Sequence, residues 1–142
     1  MKVTVEFLTR QVSDGDCEET RFTAVGLLEE TEAGLCLRYV EPPDEATERD
    51  GAAVRATVSG GRLTIERQST TVNSHMVLEE GCPHPCRYDT LYGALDLRLL
   101  CDEVNHDLTP RGGRLVARYR VETPGVEALE TRMEITVKEV SE

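Results

Sequence analysis

Two thiols and an imidazole occupy alternate positions in Cys82-Pro83-His84-Pro85-Cys86. Thiolate and imidazole are good zinc donors, and the two prolines stiffen the backbone that presents them. A structural zinc centre takes four protein ligands, so Cys101 or His106 would have to complete this one. The Cys-x3-Cys spacing also suits a Cys82–Cys86 disulfide in an oxidising setting, and it suits an exposed turn with incidental thiols.

A second chemistry centres on Arg67. It follows Leu63 and Ile65 at steps of two, which in a strand puts all three side chains on one face. A guanidinium on an apolar face must find a carboxylate, carbonyls, water or an anion, because unpaired burial is costly. An interior acid or a place at an open rim is the structural outlet. An anionic ligand is the functional one. Tyr88, Thr90 and Tyr92 share one phase, and Tyr119 joins the apolar phase of a later segment. Hydroxyl-tipped aromatics suit the orientation of a small ligand, and equally suit ordinary strand packing.

Catalytic arrangements do not emerge. Nucleophilic catalysis needs a nucleophile held against a base and an orienter, and His75, His84 and His106 lie in no such motif. His75 is out of phase with Ser74 and Met76 and points outward. No Gly-rich phosphate loop precedes a helix, and no carboxylate pair stands out among 27 acidic residues. The reading is non-enzymatic and calls for no cofactor.

The elements that must position these residues are strands. Leu95, Leu97 and Leu99 alternate with Asp96 and Arg98; Leu115, Ala117, Tyr119 and Val121 with Arg114, Arg118 and Arg120; Met133, Ile135 and Val137 with Arg132, Glu134 and Lys138. Such period-two patterning gives a sheet with one apolar and one wet face. Turn signals divide the chain into about ten strands: 3–12, 19–28, 35–41, 53–58, 63–68, 70–78, 87–92, 95–101, 114–122 and 131–140. Ser59-Gly60-Gly61-Arg62 reads as a tight hairpin. Residues 29–32 read as an acidic hairpin tip, and the acids of 41–50 as a solvated loop. A short helical turn is expected over 102–108. The parity change between Tyr88/Tyr92 and Leu95 calls for a bulge at Gly93. Many short strands in series with tight turns predict a single all-β domain, an antiparallel up-and-down barrel of about eight to ten strands.

The 142 residues carry a net charge of -11, which argues against binding a nucleic-acid backbone or an anionic membrane surface. No apolar run approaches the ~20 residues of a membrane span. The first residues lack a signal peptide's apolar stretch, so a cytoplasmic setting with reduced cysteines is expected. Five cysteines also cannot all pair.

Ile65-Glu66-Arg67, Asn73-Ser74-His75-Met76, Gly81 and Tyr88-Asp89-Thr90-Leu91-Tyr92-Gly93-Ala94-Leu95-Asp96-Leu97 resemble the DUF1934 family. So do the first strand into Gly26 and Leu35-Cys36-Leu37-Arg38-Tyr39-Val40-Glu41. The resemblance covers nearly the whole chain. It implies a calycin-like barrel, related in shape to lipocalins and fatty-acid-binding proteins, and no particular activity. The chain departs from the family pattern at Gln68-Ser69, where a small Gly often follows the Arg, and at Met76, where an aromatic is common. It has no Trp and so no Gly-x-Trp lipocalin fingerprint.

Three functions follow in order. The first is a barrel whose interior binds a small apolar or weakly anionic molecule, with Arg67, Tyr88, Thr90, Tyr92 and Tyr119 as the ligand-binding residues. The second is a side-chain-filled barrel acting as an assembly module, such as a homodimer, with outward-phase Leu100 and Val116 as candidate contacts. The third is metal binding through Cys82, His84 and Cys86.

Overall fold

The computed structural model describes residues 1–43, 51–90 and 93–140. Ten strands follow one another: β1 (Lys2–Ser13), β2 (Asp16–Thr31), β3 (Gly34–Glu41), β4 (Ala52–Ser59), β5 (Arg62–Gln68), β6 (Val72–Glu79), β7 (His84–Thr90), β8 (Gly93–His106), β9 (Gly112–Thr123) and β10 (Val126–Glu139). Each pairs antiparallel with its neighbours in sequence, and β1 pairs with β10, so the sheet closes into an up-and-down barrel. Closure leaves no sheet edge to protect. All ten expected strands are present. None of the described residues is helical, so no helix is long and apolar enough to cross a membrane.

The apolar phase of each strand turns inward. Val3, Val5 and Phe7 of β1 meet Met133, Ile135 and Val137 of β10, with Leu115 and Ala117 of β9 beside them, all buried. Leu63, Leu78 and Leu99 are completely or almost completely enclosed. These side chains form one continuous cluster along the barrel interior. Gly26 faces Tyr39 across β2 and β3, and a Cβ there would lie 2.5 Å from the Arg38 carbonyl oxygen. Only glycine allows this approach. Tyr39 leans on Phe22, which stacks on Phe7 at 4.7 Å.

Two local expectations are corrected. Residues 102–106 are not helical: β8 continues to His106. The register against β9 slips between Cys101 and Glu103. This bulge switches the inward phase from odd to even, from Leu99 and Cys101 to Val104, and mimics a break in the strand pattern. No bulge occurs at Gly93. Tyr88 pairs with Leu95 and Thr90 with Gly93 without slip. Directly opposed residues share a face, so reversal of the chain alone accounts for the parity change. Gly93 takes a φ of 120°.

Candidate functional site

A polar cluster interrupts the apolar lining at the barrel end where β3, β5 and β7 finish. Glu41 is the last residue of β3, and Tyr39 two positions earlier shares its phase. Arg67 completes the inward series Leu63, Ile65, Arg67 on β5. The register runs unbroken from Tyr39 to Val54, Arg67, Ser74 and Tyr88 across five adjacent strands. Tyr119 of β9 is buried on the same lining.

Arg67 Nη2 lies 3.0 Å from Glu41 Oε2, with 26% and 17% of the two side chains exposed. This proximity lacks hydrogen-bond alignment: Glu41 Oε2, Arg67 Nε and Ser74 Oγ are buried and have no hydrogen-bond partner among the described residues. Burial opposes the charge on Arg67, but the Glu41 carboxylate, Tyr88 and Tyr39 outweigh it and hold the guanidinium pKa above its ordinary value. Burial raises the Tyr39 phenol well above the usual range. It pushes Tyr119 up to about 12, with Arg67 pulling in the other direction. The cluster therefore presents a charge-neutralised guanidinium, neutral phenols and a serine hydroxyl.

The structure brings together Arg67, Tyr88 and Tyr119. The Thr90 hydroxyl donates to the Gly93 carbonyl at 2.8 Å and ties the β7–β8 strand ends. Tyr92 lies outside the described residues. Glu41 closes β3 as the 35–41 strand predicts, but it stands opposite Ala52 and turns inward rather than joining the solvated acids; the rest of that acidic stretch, 44–50, lies outside the described residues. The odd parity of Glu41 with Leu37 and Tyr39 carried the inward signal. Ser74, in phase with Met76 and Leu78, was legible in the same way.

The expected metal loop is divided. Cys86 is in phase with Tyr88 and buried in the core, whereas Cys82 is exposed. All five cysteines are free thiols. His84 Nε2 lies 3.1 Å from Glu79 Oε1, and ligand atoms of Glu79, Cys82 and His84 fall within 4.8 Å of one another. Glu79, not Cys86, is the third potential donor in this cluster. Neither expected fourth donor joins them: Cys101 is buried with its sulfur on the Glu103 carbonyl, and His106 Nδ1 accepts from the Leu108 amide. His75 is exposed, as its phase requires.

The outer wall is less polar than expected on β2 and β3. Leu100 and Val116 are only partly exposed, whereas Val25, Leu27 and Val40 stand 60%, 45% and 66% exposed. They line an external concavity of about 610 Å³ together with Ala53, Arg38 and Arg55.

Among solved structures, the chain is similar to the crystal structure of the ywiB protein from Bacillus subtilis. The TM-score is 0.86 at 20% identity, over 99% of this chain and 92% of that one. At this identity the likeness is one of fold. No curated protein matches. The domain of unknown function DUF1934 matches residues 5–135, and the chain belongs to that family.

Proposed function

We propose that the protein is a non-catalytic binder of a small molecule whose polar head docks at the barrel end on Arg67, Glu41 and Ser74. One observation carries the reading: three buried polar atoms of adjacent residues lack hydrogen-bond partners among the described residues. Buried polar groups are normally satisfied, and leaving one unmet costs about 1–3 kcal/mol. A group that accepts from Arg67 Nε and donates to Glu41 Oε2 would satisfy both. A hydroxyl, a carboxamide or a protonated carboxyl has that capacity. Because Glu41 already neutralises Arg67, such a head is favoured over a fully ionised one. Tyr88 would flank it on the open side, and Tyr119 on the buried side.

The test is native mass spectrometry of gently purified protein beside its denatured mass. It is followed by a thermal-shift screen of small hydroxy acids, amides and polyols. A mass excess lost on denaturation, or a stabilising compound, is expected in the wild type and absent in Arg67→Met. Equal behaviour of both proteins, or none in either, rejects the reading.

A second reading rests on the outer face. An apolar strip of Val25, Leu27 and Val40 on a charged surface suits contact with another protein, and a second copy of the chain is the partner inferred. Sedimentation should show a dimer that Val40→Glu disrupts. A wild-type monomer at high concentration would dismiss it.

A further inference from the structure

We propose that Glu79, Cys82 and His84 form a binding site for zinc or a similar divalent transition-metal ion at the opposite end of the barrel from Arg67. Glu79 closes β6, His84 opens β7, and Cys82 sits in the turn between them. Their donor atoms lie within 4.8 Å of one another. A tetrahedral ion with bonds of about 2.0–2.3 Å holds its ligands roughly 3.5 Å apart. Side-chain rotation of about an ångström therefore closes the site. Thiolate, imidazole and carboxylate together favour zinc over calcium or magnesium, which take oxygen donors. Three protein ligands leave a fourth position for water.

The turn holds its shape independently of these three side chains. The Gly81 amide donates to the Cys101 carbonyl at 3.1 Å, and the Cys82 amide donates to the Glu79 carbonyl at 3.0 Å. Glu80 Oε1 accepts from the Val104 amide at 3.2 Å, pinning the turn to β8. Gly81 adopts a φ of 70°, which lets the chain reverse here. The metal would enter between His84 Nε2 and Glu79 Oε1, replacing their 3.1 Å contact. Arg62, whose Nη2 lies 3.4 Å from the same carboxylate oxygen, remains as an outer partner. Binding releases the Cys82 thiol proton to the buffer as the sulfur–metal bond forms.

Cobalt(II) added to the reduced full-length protein is the probe, because a thiolate ligand gives an intense charge-transfer absorption that zinc abolishes by displacement. One equivalent of cobalt should saturate the band. Cys82→Ser should remove it, and His84→Gln and Glu79→Gln should each weaken binding more than about tenfold, the least that loss of an outer-shell partner costs. Cys17→Ser should leave the band unchanged. Absence of a band in the wild type overturns the proposal. So does a band that survives Cys82→Ser, which would assign the metal to another cysteine. Cys82 is exposed, so its replacement leaves the core intact, and circular dichroism of that variant verifies the fold.

Discussion

Arg67 and Glu41 approach to 3.0 Å across the end of the barrel without forming an aligned hydrogen bond. Each charge tolerates its partial burial because of the other. Removing one leaves its partner desolvated and unpaired, which costs 3–5 kcal/mol for a fully buried pair. Both side chains here retain some water contact, so Arg67→Met and Glu41→Ala are each expected to cost about 1–3 kcal/mol. The double variant should cost less than the sum, with a coupling of about 0.5–3 kcal/mol. Urea unfolding of the four proteins measures this. Strict additivity would show that the two charges act independently.

Alkaline stability should depend on Tyr119. Its phenol is raised from 10.0 to about 12 by burial, so between these values the folded state keeps a proton that the unfolded chain releases. The stabilisation is complete below pH 10 and is lost as pH rises through about 12. Two units correspond to about 2–3 kcal/mol. Tyr119→Phe should flatten this decline, measured as unfolding free energy against pH. An unchanged slope would place the alkaline sensitivity elsewhere, with Tyr39 as the next residue to replace.

Strand identity was legible because alternation is a local property and closure of the barrel preserves it: Leu63, Ile65 and Arg67 share an inward phase in sequence and in structure. Departures occur where parity changes without a turn. The bulge near Asp102 resembles a strand end in sequence, because only the partner β9 reveals that pairing resumes. Gly93 misleads in the opposite sense, since a hairpin and a bulge both reverse parity and only the register distinguishes them. The site was half legible. Arg67 demanded an acid, but Glu41 is 26 positions away in sequence and meets it only through the β3–β4–β5 register. Glu79 was similarly hidden outside the Cys-Pro-His-Pro-Cys run that drew attention to the metal loop.

The five thiols should fall into two classes. Cys17 and Cys82 are exposed, whereas Cys36, Cys86 and Cys101 are buried. Burial also raises the Cys86 and Cys101 thiols above their ordinary pKa, which lowers the thiolate fraction that reacts. The exposed Cys82 thiol is also raised, by the Glu79 carboxylate beside it, so a disulfide reagent in native buffer should modify Cys17 and, more slowly, Cys82, and the other three only on unfolding. Rapid modification of Cys86 would contradict its place in the core.

The packing of Tyr39 on Gly26 links the stability of the barrel to its polar end. A methyl group at position 26 would meet the Arg38 carbonyl oxygen at 2.5 Å and Tyr39 Cβ at 3.1 Å. Backbone on one side leaves no flexible side chain to yield there, so β2 and β3 must separate or Tyr39 must move. Overpacking of this kind costs about 1–3 kcal/mol. Gly26→Ala should therefore lower the melting temperature, by roughly 2–4 °C per kcal/mol for a chain of this size. Gly61→Ala is the matched control, because a Cβ at position 61 meets nothing within 4 Å, and it should change stability by less than about 0.5 kcal/mol. Because Tyr39 is in register with Arg67 through Val54 on the same lining, a shift of Tyr39 disturbs the polar end, and any ligand docked there should bind Gly26→Ala more weakly than Gly61→Ala. Thermal denaturation of both variants separates the packing cost from a general loss of backbone freedom. Equal melting temperatures would mean that β2 and β3 have slack at this level.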